Sequence, residues 1–475
     1  MHTFPNPFKP WLAASAIGLA ASLAFPAMAA GEAKNVIFFL GDGMGPVTVT
    51  ASRIYQYGEA GQLTMESLPR TARVKTYSLD AQTTDSAPSM AAYTTGVKSR
   101  NEVIAMDGNT FAKKPSSDTT VTPNVGNAVD NCPATGNGAA VPTILEQAIA
   151  KGKATGVVTT ARLTHATPAA TYAHICHRDA EYAIARQAVP GGAGYNSALG
   201  TGVDVLLGGI SYFWRPFNAG TTPRGRPDGR DLVAELQAKG YSYASDLASL
   251  NAAPNNGRLI GLFDQALSQG HMSYELDRDP AQEPSLAQMT VKAIDMLASK
   301  GNGYFLMVEG GRIDHALHGT NAKRALADTI AFDNAVKAAL QKVDLSNTLI
   351  VVTADHDHTM AFNGYSHLGN DILGKTTDYK TKQIAKAADG LPYTTLVFGN
   401  GGGPRKAMRD DLTNVDTSSN KDYLQEVGVV LGTPGAETHG GGDVMLFATG
   451  AGSKIFKGTI DNTKVNTLLK QAFGF

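Results

Sequence analysis

Short runs of β-branched and apolar residues recur along the chain, at residues 36–40, 156–160, 304–308, 349–353 and 444–448, each bordered by polar or glycine-rich sequence. Their apolar character is continuous rather than alternating, which predicts strands buried on both faces. Between them, residues 141–151, 286–299 and 321–343 place apolar side chains three and four positions apart, the spacing of amphipathic helices. Strands alternating with helices predict an α/β fold, a three-layer sandwich whose central, mostly parallel sheet carries helices on both faces. Ligands in such folds collect at the carboxyl ends of the strands, so chemistry is expected there. Long irregular stretches at 107–140, 190–202 and 216–230 interrupt the pattern, and 361–438, of mixed composition, reads as an insertion into a core formed by 30–360 and 439–475.

Composition narrows the class. With 43% hydrophobic, 7% aromatic and 17% charged residues, 51 Gly and 22 Pro, the chain reads as globular and loop-rich, not as a coiled coil, a collagen or a disordered polymer. Its 41 Lys+Arg nearly balance 42 Asp+Glu, so no electrostatic footprint for nucleic acid is present. Residues 11–25 are apolar, follow a lone charge at Lys9 and lead to Ala27-Met28-Ala29, the pattern of a cleavable signal peptide over 1–29. The run is shorter than the ~20 residues a membrane span needs. A periplasmic or secreted protein, free of the membrane once processed, is expected. Two cysteines, Cys132 and Cys176, suit either one bridge or two separate thiols.

The strand ends share one chemical theme. Gly41-Asp42-Gly43-Met44-Gly45 follows the first strand, but a dinucleotide fingerprint would require glycine where Pro46 stands. A carboxylate between glycines is what remains. Glu309 follows the third strand, and beyond it Asp314 and His318 stand four apart, on one face if the segment is helical. Asp355-His356-Asp357-His358 follows the fourth strand, and His439 precedes the fifth. Carboxylates and imidazoles at four strand ends form ligand sets for one or two catalytic zinc ions. In Asp85-Ser86-Ala87-Pro88, Pro88 near the start and Gly96 past the end bracket a short helix. Ser86 then lies at a helix N-terminus, where amides and dipole favour an alkoxide or a phosphate oxygen, although Asp85 or Ser86 alone would also serve as a cap.

Taken together these strings resemble the alkaline phosphatase family. Gly41 to Gly45, Asp85-Ser86-Ala87, Thr94-Thr95-Gly96-Val97-Lys98, His165-Ala166-Thr167-Pro168-Ala169, Val308-Glu309-Gly310-Gly311-Arg312-Ile313-Asp314-His315, Thr353-Ala354-Asp355-His356 and Glu437-Thr438-His439-Gly440-Gly441 occur in family order. The resemblance implies a homodimeric phosphomonoesterase with a crown-like insertion, acting through a phosphoserine on Ser86. It further implies one zinc on Asp42, Asp355 and His356, a second on Asp314, His318 and His439, and magnesium on Asp42, Thr167 and Glu309. Arg178 would clamp two phosphate oxygens with its planar fork. Imidazoles at His165 and His315 resemble the animal and marine bacterial members, and His165 would allow zinc in the third site.

Rivals are distinguishable. Ser86-Ala87-Pro88-Ser89 matches the start of a sulfatase signature, but Met90 occupies its arginine position. A phosphodiesterase of the same superfamily shares the core. A non-enzymatic zinc-binding protein would have no use for Ser86 at a helix start or for Arg178.

Overall fold

The computed structural model describes residues 33–263, 270–402, 409–432 and 437–475. The predicted signal segment lies outside them. Among the described residues the chain builds a ten-stranded sheet from β1 (Asn35–Gly41), β2 (Arg70–Lys75), β3 (Ala154–Arg162), β4 (Val205–Gly209), β5 (Tyr241–Ala244), β6 (Arg258–Phe263), β7 (Tyr304–Gly310), β8 (Thr348–Ala354), β9 (Val444–Gly450) and β10 (Gly458–Asp461). The spatial order is β10-β2-β9-β8-β1-β7-β3-β4-β6-β5. Every pairing is parallel except those of β9, which runs antiparallel to both β8 and β2. The continuously apolar runs are the central strands: β7 and β8 are buried at every position.

Helices cover both faces. They include α1 (Pro46–Tyr57), α2 (Ser86–Thr95), α3 (Ile144–Ala150), α4 (Ala166–Tyr172), α5 (Leu286–Ala298), α6 (Arg312–His318), α7 (Ala322–Lys342) and α8 (Asn462–Phe473). α1, α5 and α6 pack on α7 in one layer, while α2, α3, α4 and α8 pack in the other. Predicted helix boundaries hold closely at α5 and α7. α3 starts three residues later than the apolar pattern suggests, because Thr143 forms a capping box with Glu146 and Pro142 precedes it. The stretch 107–140, expected to be irregular throughout, contains a small hairpin of Ser116–Asp118 and Val125–Val129. Within and beside 361–438 a separate three-stranded sheet forms from Met360–Phe362, Leu396–Gly401 and Val427–Val430. Cys132 and Cys176 are bonded, which ties the long loop to the segment carrying Arg178.

Parallel register sets the site. Gly41 pairs with both Gly310 and Ala354, so Asp42, Glu309 and Asp355 emerge at one edge of three adjacent strands. The antiparallel β9 brings its beginning to that same edge, which is why His439 acts from ahead of a strand.

Candidate active site

The nucleophile candidate is placed by a helix of small residues. All ten residues of α2 are buried, and Asp85 caps it by accepting from the Ala87 amide at 2.7 Å. That cap leaves the Ser86 hydroxyl free to point elsewhere. Tyr93 donates to Ala354 O at 2.8 Å and Ser89 to Asp355 O at 2.7 Å, fastening α2 to the end of β8. Ser86 Oγ consequently lies 3.2 Å from His356 Nε2 and 3.4 Å from Asp42 Oδ1.

Around it the strand-end residues converge. His356 Nε2 is 3.3 Å from Asp42 Oδ1 and 3.4 Å from Asp355 Oδ2. The stretch carrying Asp314 and His318 is helical, as required, with 3.2 Å between Asp314 Oδ1 and His318 Nε2. His439 Nε2 stands 3.5 Å from Asp314 Oδ1 and 3.1 Å from His318 Nε2, and its ring stacks on His356 at 3.5 Å. Asp42, His165 and Glu309 offer ligand atoms within 4.8 Å of one another, as do Asp42, Asp355 and His356. Buried Thr167 adjoins Glu309, whose carboxylate also accepts from Thr159. Arg178 donates to Asp85 Oδ1 at 3.1 Å and lies 3.0 Å from His165 Nε2.

Burial and mutual charge govern this cluster. Burial, with the Asp314 charge second, pushes the Asp42 carboxyl up to about 7, and burial with the Asp42 charge does the same to Asp355. Glu309 is driven well above the carboxylate range by burial and by Asp42. Burial would raise Asp314 too, but the charge and hydrogen bonds of its imidazole neighbours hold it well below its ordinary value. Burial, then His356, lowers His439 to about 4. Asp42 Oδ2, Asp355 Oδ2, Glu309 Oε1 and His165 Nδ1 are buried without hydrogen-bond partners among the described residues. Orphaned carboxylate oxygens beside neutral imidazoles fit divalent cations, which supply the missing positive charge and bonds.

Some participants escaped the sequence reading. His358 bridges Asp314 Oδ1 at 2.7 Å and Glu437 Oε2 at 2.6 Å, and Asp85 holds the Arg178 fork as well as capping α2. His358 was visible as the second imidazole of an extended i, i+2 pair, whereas Glu437 stood at the head of the His439 string with no local signal of its bond to His358. His315 belongs to none of the clustered ligand groups among the described residues. It faces Arg312 at 3.1 Å and packs tilted against the His271 ring and edge-on to the His165 ring, at ring separations of 4.1 and 5.3 Å. Asp443, four residues beyond His439, pairs with Arg73 at 3.2 Å.

A family profile described as Alkaline phosphatase matches residues 33–475. The chain is 36% identical over 460 residues to an alkaline phosphatase of Gadus morhua, covering 90% of this chain and 89% of that protein. It is 34% identical over 471 residues to the tissue-nonspecific isozyme of Homo sapiens, covering 93% and 83%. In fold it is similar to the alkaline phosphatase of Thermus thermophilus, with a TM-score of 0.65 at 24% identity, covering 96% of this chain and 95% of that one. It is similar also to a variant of the TAB5 alkaline phosphatase solved with Mg in its M3 site, with a TM-score of 0.63 at 22% identity, covering 94% and 99%.

Proposed function

The chain belongs to the alkaline phosphatase family, and from that premise we propose that it hydrolyses phosphate monoesters to inorganic phosphate and an alcohol through a phosphoserine on Ser86. The observation that carries this reading is the Ser86 hydroxyl, at the first position of a buried helix and 3.2 Å from His356 Nε2 within the ligand cluster. In this reading Asp42, Asp355 and His356 hold one zinc, and Asp314, His318 and His439 a second. Asp42, Thr167 and Glu309 hold magnesium, with His165 able to admit zinc there and His315 beside it. The partnerless oxygens of Asp42, Asp355 and Glu309 support those assignments. Bound cations would lower the pKa of the serine hydroxyl and of water and would stabilise a departing alkoxide.

The protein's own groups do the rest. Ser86 Oγ attacks phosphorus in line, a bond from Oγ to phosphorus forms and the ester bond to the alcohol oxygen breaks. Amides at the start of α2 favour the phosphoryl oxygens. Arg178 presents its fork to two of them, held by Asp85 at 3.1 Å. Water then enters from the side the alcohol has vacated and releases phosphate from Ser86. Ser89 is not equivalent, because its hydroxyl is committed to Asp355 O and receives the Asn462 amide.

Acid quenching of a turnover on labelled monoester is expected to label a peptide containing Ser86, and Ser86→Ala to remove the label. Label on Ser89 would overturn the assignment. We further propose export with cleavage after Ala29, supported by the Ala27-Met28-Ala29 pattern and by the disulfide. N-terminal sequencing of the exported protein should begin at Ala30. Residues 361–438 as a crown-like insertion and assembly as a homodimer rest on the resemblance, and light scattering would test the latter.

A further inference from the structure

Exposure rises stepwise from the nucleophile outward. Ser86 is 2% exposed, the side chains of Asp85 and Arg178 are 15% and 17% exposed, and that of Glu102 is 43% exposed. Glu102 is joined to the phosphate clamp through its backbone: its amide donates to Asp85 Oδ2, and its carbonyl accepts from the Arg178 amide at 2.8 Å. Its φ is +72°, a left-handed conformation that glycine adopts freely and glutamate rarely does. A strained non-glycine residue at the rim of a site warrants the question of what its side chain does.

The carboxylate has no strong partner to neutralise it. Glu102 Oε2 lies 3.9 Å from His177 Nε2, too far for a hydrogen bond, and Asp179 offers a carboxylate oxygen within 4.8 Å of both. These three do not make a metal cage. His177 Nδ1 accepts from the Asp179 amide at 3.1 Å, so its Nε2 carries the proton and turns a donor, not a lone pair, toward Glu102. Burial lowers His177 from its ordinary value, and it adds no positive charge. Arg178 is already paired with Asp85. Of the remaining neighbours, exposed Lys114 offsets one of the two carboxylates, which leaves the rim beside the clamp net negative.

We propose that Glu102 is a specificity-determining residue whose carboxylate, seconded by Asp179, selects against phosphate esters with anionic leaving groups. A monoester bound at Arg178 extends its alcohol part outward past this rim. A neutral or cationic alcohol passes without penalty. A leaving group that is itself a phosphate, as in a nucleoside diphosphate, meets an uncompensated carboxylate. This inference rests on the phosphomonoesterase reading.

The test compares phenyl phosphate with ADP, for the wild type and for Glu102→Gly and Glu102→Gln, at low and at high ionic strength. Glycine retains the left-handed backbone without strain, and glutamine retains the shape without the charge. Both variants should keep kcat on phenyl phosphate within about twofold and raise kcat/KM on ADP by roughly 3- to 10-fold, the scale of one partly screened charge at several ångströms. The gain should shrink at high salt. An unchanged ADP to phenyl phosphate ratio in both variants overturns the proposal, as does a gain that salt leaves untouched. Absence of turnover on either ester by the wild type would instead strike the phosphomonoesterase reading itself.

Discussion

Gly43 shows how little freedom the site leaves a single residue. At φ +65°, a Cβ there would stand 2.4 Å from His358 Cδ2. Gly43→Ala should therefore push His358 off Asp314 and lower kcat/KM by about 10²-fold, since an ångström of misplacement costs that much. Steady-state kinetics on a monoester would check it. His174 and Glu146 give a pH prediction away from the site. They meet at 2.7 Å, Glu146 buried and His174 half-buried. Burial would lower His174, but the hydrogen bond and charge of Glu146 raise it above its ordinary 6.5. Burial would raise Glu146, but His174, Asn196 and Thr143 hold it below 4.5. Stability from the raised imidazole is complete below 6.5 and is lost as pH rises through its folded value. Stability from the depressed carboxyl is present above 4.5 and is lost as pH falls through its folded value. The pair thus contributes most between 4.5 and 6.5. His174→Gln should cost on the order of 1 kcal/mol more at about pH 5.5 than at about pH 9. Equal costs in denaturant titrations at the two pH values would refute the coupling.

Among elements, α2 carries the most consequence, because its position places Ser86. Asn466 of α8 donates to Tyr93 O at 2.9 Å and Thr94 O at 2.8 Å, satisfying carbonyls at the end of α2. Gly96 ends the helix at φ +80°, and a Cβ there would meet Asn466 Oδ1 at 2.9 Å. Asn466→Ala should cost about 1–3 kcal/mol by leaving buried carbonyls unpaired. Calorimetry should register a lower Tm with bound metal unchanged, and an unaltered Tm would show the contact to be incidental. The helix was legible in the sequence through Pro88 and Gly96, as were the central strands through their unbroken apolar runs. Capping by Asp85 was legible too, but its grip on Arg178 was not, because the two stand 93 residues apart.

At the scale of the molecule, the fold gathers carboxylates that it cannot satisfy by itself. Chelation should remove bound metal and activity together, and zinc with magnesium should restore both. Full activity in protein shown by elemental analysis to be metal-free would contradict the proposed role of the cluster. Removing cations should also destabilise the chain, because Asp42, Asp355 and Glu309 then remain buried close together without compensating charge. Thermal melts of treated and reconstituted protein would measure that difference.

The sequence by itself determined the layered α/β class, because burial on both faces of a strand is written as continuous apolar residues. It also determined which strand ends carry ligand-type side chains. The i, i+4 spacing of Asp314 and His318 needed only a helix to bring them together, and α6 supplies it. Tertiary structure decided the rest. Strand order and direction are long-range choices, and only the antiparallel entry of β9 brings His439 within 3.5 Å of Asp314. The pairing of Cys132 with Cys176 depended on a fold in which loops 44 residues apart meet. The links from His358 to Glu437 and from Glu102 to the Arg178 clamp join residues that no local pattern relates. Periodicity encodes which face a residue presents, but which distant residue waits there is fixed only when the sheet closes its register.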